Sequence, residues 1–296
     1  NRISNIMSNI VINPYSVVAL VSFTDSNAVS KALATGTSQA IYFVDTADTF
    51  NFVEDEAFTI SFWVKAGWSS SLNTNIHFVM GMEDGTPTYQ QSSMIKIYYN
   101  ESNNRLYANY ANRDTSATTN IQKKTFWLFH SNSGAYATAY AAAGLGGTYW
   151  SAANRGNVGD NNFTMITLTK AAADDIGSLK MYWNASTLGT GYNDKNQSFA
   201  AGMSATSDRL WSLGSNGKYS STDQVKTGNS TETVYNDLTI WDKELSASEV
   251  AALYNSGTRL DATGHSAASN LVGYWKFESD GTATVSSHDF TIAGDS

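Results

Sequence analysis

From Phe58 to Val64 the chain reads Phe-Thr-Ile-Ser-Phe-Trp-Val, which puts Phe58, Ile60, Phe62 and Val64 on one face of an extended segment. Met94 to Tyr99, Arg105 to Tyr110, Phe163 to Thr169, Leu179 to Trp183, Arg209 to Leu213 and Val234 to Trp241 have similar strand character. Turn-forming clusters separate them, among them Glu83-Asp84-Gly85-Thr86-Pro87, Asn100 to Asn104, Asp174 to Gly177 and Asn216-Gly217. A dozen or so short, regularly punctuated strands predict an all-β fold, a sandwich or jelly roll, and exclude alternating α/β architecture. The expected core includes Phe58, Ile60, Phe62, Val64, Ile166, Leu168, Leu179, Met181, Leu238 and Ile240.

One helix interrupts the strands, near 246–256. Ser246 is followed three residues later by Glu249, the spacing of a capping box. Val250, Leu253 and Tyr254 share a face, and Gly257 stands where a left-handed C-cap is expected. Two regions differ from the rest. Residues 1 to about 35 hold an apolar stretch, Val17 to Phe23, in a Ser/Asn-rich surround. Residues 131–162 are mostly Ala, Gly, Ser, Asn and Tyr, and read as an elaborated loop with a strand inside it.

At 296 residues the chain is long enough for a substantial core. Lys and Arg total 18 against 26 Asp and Glu, a net charge of −8, and only 15% of residues are charged. The surface is therefore wetted by Ser, Thr, Asn and Gly, and there is no basic balance of the kind that displaces counterions from nucleic acid. No apolar run reaches the ~18 residues of a membrane span. Cysteine is absent, which removes disulfides, thiolate zinc sites and cysteine nucleophiles together.

Three segments resemble one family. Residues 40–67, AIYFVDTADTFNFVEDEAFTISFWVKAG, are similar to the opening of a laminin G-like or pentraxin-like, concanavalin A-type jelly roll. Residues 163–191, FTMITLTKAAADDIGSLKMYWNASTLGTG, resemble the family's middle hairpin, and 235–257, YNDLTIWDKELSASEVAALYNSG, its closing strand and helix. The resemblance implies a two-sheet antiparallel jelly-roll sandwich over 38–258, an N-terminal arm over 1–37 and a C-terminal strand extension over 259–296. It also implies a calcium turn, at which Asp48 matches one acid of an Asp-Asp pair while Ala47 replaces its neighbour and Thr49 the aromatic. Calcium takes six to eight oxygens, several from carboxylates, so the turn is one acid short and calcium is an expectation at Asp48 only. The last segment, 270–296, resembles the strand that opens such a domain, although here it follows the closing helix. Leu271 to Phe277 either pairs within its own sandwich or augments a neighbour. The low charge, with two apolar strands to place outside the recognisable domain, favours contacts between copies or with a larger scaffold.

Hydrolysis needs facing carboxylates. Glu54-Asp55-Glu56 is a consecutive run that would split between two strand faces, and Asp174-Asp175 precedes a hairpin glycine, so both read as solvated turns. His77, His130, His265 and His288 are isolated in sequence, with no metal-like spacing. Trp63, Trp183, Trp211, Trp241 and Trp275 sit in strand patterns and read as core or sheet-face residues. Glycan binding is the better chemical reading. Tyr149 and Trp150, with Asn154, Arg155, Asp160 and Asn161, lie among small residues that offer large rings little to bury against. The expected protein is non-enzymatic: a surface-displayed module of an extracellular assembly such as a bacteriophage virion, on an extracellular or virion surface. Its expected partners are protein subunits and cell-surface glycans. A soluble lectin domain is the alternative, and a divergent polysaccharide hydrolase the third reading.

Overall fold

Alternation alone would leave Thr59, Ser61 and Trp63 facing water, yet every residue from Phe58 to Val64 is buried. The computed structural model, which describes residues 20–22, 31–35, 40–45, 50, 56–66, 74–83, 94–100, 105–111, 121–126, 163–172, 178–188, 192–193, 209–213, 233–278 and 280–293, shows why: this sheet is covered on both faces. The first sheet begins with β1 (Leu20–Ser22) and β2 (Lys31–Thr35). The chain then contributes β3 (Ala40–Asp45) to the second sheet and β4 (Phe58–Ala66) to the first. Four strands extend the second sheet: β5 (Thr74–Glu83), β6 (Met94–Asn100), β7 (Arg105–Ala111) and β8 (Ile121–Phe126). The first sheet gains β9 (Thr164–Lys170), β10 (Lys180–Trp183) and β11 (Ser186–Thr187), and the second gains β12 (Tyr192–Asn193) and β13 (Arg209–Leu213). After β14 (Thr233–Trp241) come helix α1 (Ala247–Tyr254), β15 (Leu271–Trp275), β16 (Ala283–Val285) and β17 (Thr291–Ala293).

All pairings are antiparallel. The first sheet runs β1-β2-β14-β4-β9-β10-β11, with β15 on β14 and β16 on β15, and the second runs β12-β8-β7-β6-β5-β13-β3-β17. One buried cluster draws on both: Phe43, Ile95, Ile97, Trp211 and Leu213 from the second sheet meet Phe58, Ile60, Phe62, Ile166, Leu168 and Ile240 from the first. This is the expected all-β, two-sheet jelly-roll sandwich, with one short α-helix among the described residues. All ten residues expected in the core are buried. The five strand tryptophans are buried too, with Trp183, Trp211 and Trp275 between the sheets and Trp63 and Trp241 on the first sheet's outer face.

That outer face is roofed by α1 and the turns that follow it. Leu245, Val250, Leu253, Ala262 and Ala267 pack on Trp63, Met165, Tyr182, Trp241 and Tyr274. Tyr254 stacks on Trp63, with ring centroids 5.6 Å apart. Among the polar alternates under the roof, Thr59, Ser61 and Thr167 are hydrogen-bonded. The Thr59 hydroxyl donates to the Lys243 carbonyl (2.7 Å) and accepts from the Leu245 N–H (2.9 Å), while the Ser61 and Thr167 hydroxyls lie 2.8 Å apart across β4 and β9. The capping box forms as the sequence predicts, with both Ser246–Glu249 reciprocal bonds present. The C-cap differs. Asn255 takes the left-handed position (φ 48°), followed by Ser256 (φ 56°), and Gly257 comes third at φ 88°. Asn tolerates this region better than most residues, so the cap does not need the glycine.

Of the two readings of Leu271 to Phe277, pairing within its own sandwich is the one the register shows. β1 pairs with β2, and β15 lies along β14 of its own chain, with Leu238 opposite Trp275 and Ile240 opposite Gly273. A Cβ on Gly273 would come within 2.7 Å of the Trp275 ring, so that ring closes over a position only glycine leaves open. β17 then joins the second sheet beside β3, with Thr291 opposite Tyr42. The C-terminal strands therefore span both layers and complete the core: Trp275 stacks on Phe43 at 5.4 Å, Phe290 meets Phe43 edge-on at 4.8 Å, and the Trp275 indole N–H donates to the His288 carbonyl at 2.7 Å. Trp275→Ala is expected to cost about 3–5 kcal/mol in urea unfolding. A chain ending before Leu271 should lose its cooperative transition, and a cooperative transition in that truncation would show the C-terminal strands to be accessory.

Candidate functional site

Among the described residues two carboxylates are taken almost wholly out of water, Asp45 and Asp237, and burying a charge is costly unless it is paired. Asp45 ends β3. Its Oδ2 accepts the Phe50 N–H at 2.9 Å, while Oδ1 lies 3.3 Å from Nε2 of His288. The ring of His288 lies 5.3 Å from that of Phe43 and 5.7 Å from that of Phe50, and its Nδ1 is 3.2 Å from the Ser286 hydroxyl. Serine, histidine and aspartate thus stand in a chain that no sequence spacing could reveal, because Asp45 comes from the opposite end of the polypeptide. The bonds are those of turns rather than of a nucleophile. Ser286 Oγ also accepts the N–H of His288 (3.2 Å), and Asp45 is committed to a backbone amide. The buried aromatic of this turn is Phe50, one residue past the position the sequence match gave it.

Asp237 arises from a fault in β14. Asn236 pairs with Trp63 and Thr239 with Ser61, so Asp237 and Leu238 together oppose Phe62 in a β-bulge. Asp237 sits at φ 45°, a region Asp tolerates. The extra residue shifts the alternation by one, so that Tyr235 before it and Leu238 and Ile240 after it all reach the core between the sheets. It also marks a change of partner: on its second edge β14 pairs with β2 over Thr233–Tyr235 and with β15 over Leu238–Trp241. Asp237 Oδ2 meets Nε of Arg259 at 2.5 Å, Oδ1 accepts the Tyr274 hydroxyl at 2.7 Å, and Arg259 also bonds Glu278. Burial pushes the Asp237 carboxyl up to about 6, against the opposing pull of the Arg259 charge and the Tyr274 hydrogen bond. Burial first, and the Asp237 charge second, hold the Tyr274 hydroxyl above its usual range, so it remains a donor.

His265 is also structural. Its Nδ1 accepts the Ala267 N–H (3.1 Å), which leaves the proton on Nε2 to be donated to the Glu249 carbonyl (3.0 Å), and the ring meets Trp241 edge-on at 5.1 Å. Glu56 is exposed at a strand start and its carbonyl accepts from Lys170 Nζ at 3.1 Å, as a turn position would. Tyr149, Trp150, Asn154, Arg155, Asp160, Asn161 and Asp48 lie outside the described residues, as do Glu54, Asp55, His130, Asp174 and Asp175. Among the described residues no group of three or more His, Cys, Asp or Glu could hold a metal ion, and no helix is long and apolar enough to cross a membrane.

No protein-family model matches the chain. No curated protein matches it either. Solved structures do resemble it. The binding domain of botulinum neurotoxin serotype G is 15% identical, with 80% of this chain and 46% of that one covered and a TM-score of 0.43. A structure of botulinum neurotoxin type C, whose cell entry depends on interaction with two ganglioside molecules, is 15% identical over 85% of this chain and 53% of that one, with a TM-score of 0.38. A heptameric SAP-like pentraxin from Limulus polyphemus is 13% identical over 74% and 82%, with a TM-score of 0.35. The chain spans about half the length of the neurotoxin structures it matches. The sandwich assignment rests on the chain's own strand pairing and core.

For Asp237 the folded-state value lies above the ordinary carboxylate value. The unfolded chain therefore binds fewer protons between about pH 4 and 6, and this group's contribution to stability falls as pH rises through that window. Arg259→Ala should cost about 3–5 kcal/mol at pH 7 by leaving a buried anion without its cation. The loss should shrink at pH 5, where the carboxyl neutralises. Urea unfolding at both pH values tests this, and an equal loss at both would show that the charge pair is not what holds the bulge.

Proposed function

We propose that this chain is a non-enzymatic, surface-displayed jelly-roll module, a structural or adhesion component of an extracellular assembly such as a bacteriophage virion, which meets cell-surface glycans through the loop at 131–162. The observation that carries this reading is how the described acids are used. Asp45 closes a turn, Asp237 holds Arg259, and Glu249 caps α1. Asp261 accepts the Thr263 N–H and binds Lys276, Asp242 accepts from Asn270, and Glu244 pairs with Lys180. Each is bonded to a backbone amide, a side-chain amide or a cation within the fold, whereas a glycosidase needs two carboxyl groups facing a cleft.

The sparse charge and the Ser/Thr/Asn-rich composition suit a rigid display scaffold whose specificity lies in its loops. Tyr149 and Trp150 would supply ring faces to the sugar, and Asn154, Arg155, Asp160 and Asn161 its hydroxyl partners. On a glycan array the purified chain should bind a restricted set of saccharides, and Trp150→Ala should weaken that binding at least tenfold, about 1.4 kcal/mol. Reducing ends released from β-glucans should stay at background. Turnover above background that survives repurification would replace this reading with a hydrolase.

A further inference from the structure

Residues 286–290 carry the chain from β16 in the first sheet to β17 in the second, and bonds on both sides fix them. Val285 stands opposite Tyr274 in β15, and Thr291 opposite Tyr42 in β3. The Phe290 N–H donates to the Gly281 carbonyl (2.8 Å), the Ala283 N–H to Asp289 Oδ1 (2.8 Å) and the Trp275 indole to the His288 carbonyl (2.7 Å). Ser286 takes up the strain of this crossing. The other described non-glycine residues with positive φ lie between 45° and 64°, in the left-handed helical region, whereas Ser286 stands at 109°. A side chain is held there only where its surroundings over-determine the backbone.

That torsion has a chemical meaning. About the N–Cα bond, the Cβ of an L residue lies about 120° from its own carbonyl carbon, so the common φ near −60° sets Cβ opposite to the preceding carbonyl carbon. At the 109° of Ser286 the same relation brings Cβ to within roughly 10° of eclipsing that carbon, which belongs to Val285. Closing a five-membered ring through Oγ, Cβ, Cα, N and the Val285 carbonyl carbon needs this eclipsed arrangement, and a residue of ordinary φ cannot offer it. A proton acceptor stands beside the hydroxyl. Nδ1 of His288 lies 3.2 Å from Ser286 Oγ, while Nε2 faces Asp45 Oδ1 at 3.3 Å, which places the imidazole proton on Nε2 and leaves Nδ1 its lone pair. The rings of Phe43 and Phe50 flank the imidazole, and the His288 N–H fixes Oγ at 3.2 Å. These bonds belong to a turn, and the acyl group nearest to Oγ along the chain is the turn's own, the Val285 carbonyl.

We infer that the Val285–Ser286 peptide bond is a site of self-cleavage, with Ser286 as the nucleophile, His288 as the proton acceptor and Asp45 as the residue that positions His288. Oγ adds to the Val285 carbonyl carbon as its proton passes to Nδ1. The C–N bond then breaks and the imidazolium returns the proton to the departing nitrogen. Val285 is now held by an ester to Ser286 Oγ, and Ser286 has a free amine. Water hydrolyses the ester, which leaves a carboxyl group on Val285 and restores the hydroxyl. Val285 and Ser286 are half-buried between the exposed Thr284 and Ser287, so water reaches the bond. Cleavage frees the backbone of Ser286, and the released strain opposes reversal. The chain acts once on itself and turns over no substrate, in keeping with a module that is not an enzyme. β17 stays paired with β3, and Phe290 keeps the severed segment seated in the core.

The test follows the full purified chain by mass spectrometry during incubation at neutral pH, with and without hydroxylamine, which intercepts esters. Denatured samples should show the chain divided after Val285, and hydroxylamine should speed the division and leave a hydroxamate on Val285. Under native conditions the same material should keep the mass of the undivided chain. Ser286→Ala should stay whole. Ser286→Gly should stay whole and resist more urea, because glycine takes this φ without strain, so an uncut, folded glycine variant separates lost chemistry from lost folding. His288→Gln should slow cleavage about a hundredfold, Ser286→Cys should cleave through a thioester, and Ser287→Ala should behave as the wild type. A wild-type chain that stays whole in hydroxylamine would overturn the inference, as would division at another bond or division that persists in Ser286→Gly. Glycan binding enters none of these readouts, so failure here leaves the proposed module standing.

Discussion

A single strand has to serve three partners. β14 pairs with β4 along one edge and divides the other between β2 and β15. Those two strands meet end to end along that edge, and the bulge at Asp237 lies where one gives way to the other. The unpaired residue this creates is an acid in a left-handed conformation, buried beneath the sheet's outer layer. Such a residue is expensive unless fully bonded. Arg259 and Tyr274 supply the bonds, and both lie beyond the helix. The segment beyond the helix, which supplies the roof's last turns and β15, is thus tied to the bulge through Arg259 and Tyr274.

This explains which parts of the fold were legible in the sequence. Strands with strict alternation, such as Phe58 to Val64, could be read directly because one of their faces always meets the opposite sheet. The capping box at Ser246 could be read because its chemistry is local. The course of the C-terminal segment could not. Leu271 to Trp275 is buried on both faces, so its apolar run fits either an interface or an internal strand, and only the free edge of β14 decides between them. The apolar surface of this segment is used within the chain, against β14 and the core between the sheets. Gly257 was a reasonable candidate for the helix cap, but Asn255 could take the same backbone region two residues earlier.

The candidate site was less legible, for a different reason. Sequence proximity picked out a loop with two large rings among small residues, since local contrast is what a linear reading detects. Contacts between residues far apart in the chain leave no such contrast: the His288–Asp45 contact is an aromatic turn closed by a residue from the far end of the chain.

The pairing of β17 with β3 has a kinetic meaning. It joins residues about 250 positions apart, and loops of that length make native contacts slow to find. Until Trp275 and Phe290 arrive, Phe43, Phe50 and Trp211 have an open side at the seam between the sheets. A nascent or partly folded chain would therefore present an aromatic groove beside two unpaired strand edges, one on β14 and one on β3, the kind of surface on which chaperones act and aggregation begins. β15 and β17 close both edges and the groove together, so one late step removes every hazard of the open intermediate.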